Sequence, residues 1–175
     1  MLTNQSVAER LQAKFGTAIV STDEQFGMLS LTVQRETIYA VMQFLRDDAD
    51  LQFNFMTDLC GIHYPDNPKA IELGVIYHLH SWSHNFRIRL RTFFPRTDVR
   101  VPSMVPLYAT ANWMERETYD FFGVNFVGHP DLRRILNVDE MDFFPLRKEY
   151  PLEEQTRTDK DDAKFGREGN YVVKV

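Results

Sequence analysis

Five histidines, one cysteine and a cluster of carboxylates are the side chains from which this chain can build a reactive centre. His78 and His80 stand two residues apart in an alternating apolar run, so both project from one strand face and can chelate a divalent ion. The arginines of the next strand argue against that use. Arg87 falls near His78 on the expected pairing, and a cation beside a dication raises the cost of holding both. A polar sheet face, or pairing of these histidines with a partner's carboxylate, is the competing assignment. The segment WMERETYDFFG places Glu115, Glu117 and Asp120 on one helix with Arg116 among them. Glu117 and Asp120 at i, i+3 can form an acid/base pair, Arg116 and Asp120 at i, i+4 an ion pair, and a solvated helix face is the ordinary alternative. Interleaved Trp113, Tyr119, Phe121 and Phe122 weigh against full solvation, because beside buried aromatic surface only a paired carboxylate is tolerable. His129 lies in the turn Gly128-His129-Pro130, as a structural hydrogen bonder or, given an acceptor, a proton-transfer group. Arg133, Arg134, Arg147 and Lys148 can meet phosphate or an acidic protein surface, and the acidic balance of the chain favours protein.

The usual cofactor cradles are missing from the sequence. There is no G-x-G-x-x-G after a strand, no G-x-x-x-x-G-K-S/T, no C-x-x-C and no C-x-x-C-H. Cys60 alone can form no intramolecular disulfide and falls short of an iron–sulfur ligand set. A free-standing metal enzyme using His78, His80 and Glu117 is therefore the chemical alternative to a binding role.

These residues need elements to position them. Ser6-x-x-Glu9 reads as a capping box for a helix carrying Val7, Leu11 and Phe15, with Gly16 as its stop. Thr17 to Ser21 and Met28 to Val33 read as a hairpin around DEQFG, and Ile38, Val41, Met42 and Leu45 give the inward stripe of a helix over about 36–46. Leu51, Phe53 and Phe55 alternate as a third strand, followed by a loop from Asp58 to Asn67. A longer hairpin then sets Leu73, Val75, Tyr77 and Leu79 beside Phe86, Ile88, Leu90 and Thr92 on the core face, which leaves His78, His80, Arg87, Arg89 and Arg91 on the other. Pro95, Pro102 and Pro106 mark a link to a helix over about 109–122 capped by Gly123, with Ala111, Met114, Thr118, Phe121 and Phe122 turned inward. From Asn137 onward charge and proline dominate, and no helix or strand period is sustained. The expected architecture is α/β, of the α+β kind: a mixed sheet of hairpin-connected strands with helices packed on it over 1–136, then an extended partner-binding tail over 137–175.

At 175 residues, with 43% hydrophobic and 26% charged residues, the chain suits one globular domain. A net charge of -5 disfavours nucleic-acid binding. No apolar run is long enough to cross a bilayer, and the start has neither basic nor apolar targeting character, so an intracellular protein with no span of its own is expected.

Two stretches carry a family resemblance. ERETYDFFGVNFVGHPDLRRIL, from Glu115 to Leu136, resembles the signature segment of the 30-kilodalton subunit of proton-pumping NADH:quinone oxidoreductase, respiratory complex I. FFPLRKEYPLE resembles that family's second characteristic stretch, with Phe144 where a histidine is expected and Glu149 where aspartate is more usual. The resemblance makes Glu115, Arg116, Glu117, Asp120, His129 and Arg133 signature residues. It makes Pro145, Leu146, Arg147, Lys148 and Glu149 the start of a tail that runs along the 49-kilodalton subunit, which helps form the quinone site, with Phe143, Phe144, Tyr150, Leu152, Phe165, Tyr171 and Val173 as further anchors. It implies a peripheral-arm subunit on the cytoplasmic face of the bacterial inner membrane, or the matrix or stromal side in an organelle. Such a subunit has no catalytic or cofactor-binding residue of its own, within an assembly that uses FMN, iron–sulfur clusters, NADH and quinone. An equivalent scaffold place in a ferredoxin-fed or hydrogenase-type membrane complex is the alternative.

Overall fold

Residues 2–150 are described by a computed structural model of the chain. Helix α1 (Asn4–Phe15) begins earlier than the Ser6/Glu9 pattern suggests. Thr3 is its N-cap: the Ser6 amide donates to the Thr3 hydroxyl, and the Thr3 amide donates to Ser6 Oγ. Ser6 is thus the third-position partner of the box rather than the cap itself. Gly16 ends the helix at φ +51°, and Val7 and Leu11 are fully buried.

Strands β1 (Ile19–Gln25) and β2 (Met28–Val33) form the expected hairpin, but its turn is only Phe26-Gly27. Both turn residues have positive φ, which matches the right-handed twist of the flanking strands and lets β1 run four residues beyond Ser21. Helix α2 (Ile38–Asp47) buries the four residues its spacing requires: Ile38, Val41, Met42 and Leu45. The third strand differs from expectation. β3 spans Phe55–His63, so Asp58 to His63 is strand rather than loop, while Leu51 and Phe53 are buried in the connection before it. The alternation marked the burial of Leu51 and Phe53 but not their element, and only the half-buried Phe55 lies in the strand, because a coil segment held against a core shows the same pattern over a few residues.

β4 (Leu73–Ser81) and β5 (Phe86–Phe94) pair antiparallel with Tyr77 opposite Leu90 and Leu79 opposite Ile88. This is the parity that buries one whole face. His78 stands opposite Arg89, not Arg87, and His80 stands opposite Arg87. The five strands run in the order β1-β2-β5-β4-β3, antiparallel except for the parallel β2–β5 pair, so the sheet is mixed. A second, two-stranded parallel sheet joins β6 (Arg100–Pro102) to β7 (Asn125–Val127) and was invisible in the sequence, three residues being too few for a period. Between them lies α3 (Ala111–Phe122), capped by Gly123 in the left-handed region. Helix α3 runs against β3: a Cβ on Gly61 would meet the Phe122 ring at 2.5 Å and Thr118 Cγ2 at 3.0 Å. One apolar core joins α1, α2, the start of α3 and one sheet face. Residues 128–150 contain neither helix nor strand. Leu152, Phe165, Tyr171 and Val173 lie outside the described residues.

Candidate interaction site: a charged helix and the segment it holds

Helix α3 does not bury the stripe its apolar residues suggest. Its fully or nearly buried positions are Ala111, Glu115, Arg116, Thr118 and Asp120, whereas Met114, Phe121 and Phe122 are only partly covered. Three charges therefore face inward, and each must find partners there.

Glu115 faces the link before the helix. Its carboxylate accepts from Ser103 Oγ at 2.7 Å and from the Met104 amide at 2.6 Å. Burial pushes its carboxyl up to about 7, against the opposing pull of those two bonds. Asp120 faces the other way, toward the chain after β7. Its Oδ2 accepts from three successive amides, Ile135 at 3.1 Å, Leu136 at 2.8 Å and Asn137 at 2.9 Å. Its Oδ1 accepts from Arg134 at 2.8 Å and from the Asn137 side chain at 3.1 Å. Burial alone would raise this carboxyl, but the bonds from Asn137, Leu136 and Arg134 outweigh it and hold Asp120 well below the usual carboxylate range.

Arg116 is not the partner of Asp120. Its guanidinium donates to the carbonyls of Arg133 and Arg134 at 3.2 and 3.1 Å and stacks over Trp113, so the i, i+4 pairing yields to a contact far along the chain. Glu117 is exposed, and with every Asp120 oxygen engaged the acid/base pair does not form. His129 Nδ1 accepts the Asp131 amide at 3.0 Å and Nε2 lies 3.1 Å from the Asn112 carbonyl, so the turn histidine ties the loop to the helix as a structural hydrogen bonder. Among the described residues, the Arg133 side chain pairs with Asp131, on the surface.

The segment after Arg134 is bound over the end of α3. Arg134 donates to the carbonyls of Met141 and Phe143, the Leu146 amide donates to the Phe121 carbonyl, and Arg147 Nε donates to the Phe122 carbonyl at 2.7 Å. The guanidiniums of Arg134 and Arg147 both stack on the Phe144 ring, their centres 5.2 and 4.6 Å from it. A planar ring serves this double cation stack, so the phenylalanine at the position where a histidine is expected has a defined use. Pro145 is half-buried and Leu146 exposed. Glu149 pairs with Arg96 at 2.6 Å, and the Lys148 amide donates to His63 Nδ1 at 2.9 Å. The sequence offered no cue for His63, Glu72, Arg96 or Ser103, because each partner lies on a different element.

His78 is used locally: its Nε2 accepts from Arg89 Nε at 3.0 Å and its Nδ1 lies 3.4 Å from Asp58. His80 lies 3.3 Å from Asn85 Oδ1. Among the described residues, no three His, Cys, Asp or Glu side chains group to hold a metal ion, and no helix is long and apolar enough to cross a membrane.

Fold and site together define an α+β domain whose inward helix charges clasp the chain's own C-terminal segment. Residues 31–156 match the family described as respiratory-chain NADH dehydrogenase, 30 Kd subunit, and the chain belongs to that family. It is 43% identical over 163 residues to the corresponding NADH-quinone oxidoreductase subunit of Methylobacterium radiotolerans, covering 91% of this chain and 74% of that one. The equivalent subunit of a Nocardioides species is 48% identical over 72% of this chain, which spans half of that relative. A Roseiflexus relative, again a subunit of NADH-quinone oxidoreductase, is 44% identical over 86% of both chains. Among solved structures, the trypsin-resistant fragment of Nqo5 superposes with a TM-score of 0.64 at 32% identity, over 73% of this chain and 98% of the fragment. A chain of the membrane-bound sulfane sulfur reductase, an archaeal respiratory membrane complex, shares the fold at a TM-score of 0.73 and 22% identity over 98% of both chains. Family membership makes this chain a subunit of an oxidoreductase complex.

Proposed function

We propose that this chain is a cofactor-free, non-catalytic subunit of the peripheral arm of proton-translocating NADH:quinone oxidoreductase, on the cytoplasmic face of the membrane. It supports electron transfer by binding and stabilising the 49-kilodalton subunit. The observation that carries the reading is the use made of the signature charges: Glu115, Arg116 and Asp120 are turned inward, away from any substrate, and two of them hold the segment over 133–137. The chain from Leu136 to Tyr150 then presents Leu136, Val138, Leu146 and Tyr150 to solvent, each at least 40% exposed. Ordering backbone costs about 1–2 kcal/mol per residue. A segment already clasped by its own domain meets a partner with that entropy largely spent, so its apolar side chains contribute directly to affinity.

Affinity capture of the assembly tests this. The purified chain should carry no flavin, iron or nicotinamide and should neither oxidise NADH nor reduce quinone. Capture of the native chain should return the 49-kilodalton subunit. The double variant Val138→Asp, Leu146→Asp should lose that partner while keeping its circular dichroism spectrum. Retention of the 49-kilodalton subunit by the double variant, or a flavin or cluster on the isolated chain, overturns the proposal. Capture without NADH-binding subunits would assign the equivalent scaffold place in a ferredoxin-fed or hydrogenase-type complex.

A further inference from the structure

His63 ends β3, with a side chain only 2% exposed. Its Nδ1 accepts the Lys148 amide, and a backbone amide can only donate, so the ring must be neutral with its proton on Nε2. Nε2 is buried and has no hydrogen-bond partner among the described residues. The charged groups facing the ring come from three elements. Glu72, after the short helical turn at Lys69–Ile71, lies 4.0 Å from Nε2 and is itself held by Lys69. Arg96, after β5, bridges Glu72 at 3.9 Å and Glu149 at 2.6 Å. The C-terminal segment brings Arg147, the Lys148 amide, and Glu149 with an oxygen 3.6 Å from Nδ1.

We propose that His63 is a proton-operated clasp on the C-terminal segment, binding it through the Lys148 amide when neutral and exchanging that contact for Glu149 and Glu72 when protonated. A proton added at Nδ1 converts the acceptor into a donor and sets two N–H groups against each other. The Glu149 carboxylate, 3.6 Å from Nδ1, and the Glu72 carboxylate, 4.0 Å from Nε2, are then the acceptors that the ring takes in place of its bond from the Lys148 amide. The device is built from this chain alone and does not depend on the assembly proposed above. The direction of the switch is fixed by the surroundings. Burial lowers the His63 pKa below 6.5, and the neighbouring Glu149 and Glu72 only partly oppose it. A group whose pKa is depressed in the closed form lends stability above its free value and loses it below, so the segment is held at neutral pH and loosened as pH falls beneath about 6.5.

The test is a nuclear magnetic resonance titration of the full chain between pH 8 and pH 5, following the His63 ring and the protection of the Lys148 amide together. Protection should fall roughly threefold to tenfold, the worth of one net hydrogen bond, along the same titration as the ring. His63→Asn keeps a neutral acceptor near the Nδ1 position and should leave the Lys148 amide protected at every pH. His63→Phe has no acceptor and should leave it unprotected throughout. Protection that does not follow the ring in the native chain, or that falls with pH in the asparagine variant as it does in the native one, overturns the assignment. The native titration decides the matter even where a variant fails to fold.

Discussion

Glu115 and Asp120 lie on the same helix, both are fully buried, and they answer burial in opposite ways. Glu115 meets two donors from the link at Ser103 and Met104 and is pushed up to about 7. Asp120 meets five, one of them a guanidinium, and is driven down. Burial works against both charges, and only around Asp120 do the donors outweigh it. The N-terminal half of α3 is thus secured by a carboxyl that is partly protonated at neutral pH. The C-terminal half is secured by a permanent anion in a nest of amides. The anion is the half that holds the chain segment over 133–137.

The sharpest way to break this contrast is Asp120→Ala. It leaves Arg134, whose side chain is only 8% exposed, without its counter-charge, together with three amides that have no acceptor. Loss of one partner of a buried pair costs about 3–5 kcal/mol, and urea denaturation should show it. Glu115→Gln tests the other half through its pH dependence. With a folded value of about 7 against an ordinary 4.5, the native protein binds more protons than the unfolded chain between those pH values, so its stability falls as pH rises through that window. The variant should lack this decline and gain on the native chain by about 3 kcal/mol between pH 4 and pH 8, read by urea midpoints. Asp120 has the reverse sign: its stabilisation is complete above the ordinary carboxylate value and is lost as pH falls below it, and this acid limb should survive in Glu115→Gln.

Gly123→Ala probes the junction where the segment closes on the helix end. Its φ is +73°, and a Cβ would stand 2.5 Å from the Phe144 ring and 2.6 Å from an Arg147 nitrogen. A loss of about 2 kcal/mol is expected, with the segment displaced, as seen by denaturation and by faster proteolysis after Arg147. Arg133→Ala should change least, within about 0.5 kcal/mol, because its pair with Asp131 is solvent-exposed. Arg133 and Arg134 are adjacent, so a large gap between Arg133→Ala and Arg134→Ala would show that the clasp reads position rather than basic character.

How much could be read without coordinates follows the range of the interactions involved. Ile38, Val41, Met42 and Leu45 on α2 were legible because a helical stripe repeats within one element. The parity of β4 and β5 was legible because a slip by one residue would expose an apolar face. The body of α3 and its Gly123 cap were legible too. Its buried face was not. Trp113 and Phe121 carry the apolar surface, yet Glu115, Arg116 and Asp120 go inside, because donors from 103–104 and acceptors and donors from 133–137 wait there. The strand over 58–63 was hidden by its Gly and by the loop signals of the residues that follow it.

The sequence by itself determined the elements with an internal period, the apolar core face, and through two motif stretches the family. Each of these depends on residues close together along the chain, where spacing alone carries the physics. Only the tertiary structure decided that Arg134 rather than Arg116 neutralises Asp120, that Phe144 stacks with two guanidiniums, and that His63 accepts the Lys148 amide. Buried charges take whichever partners the fold brings within about 3 Å, and those partners lie many residues away.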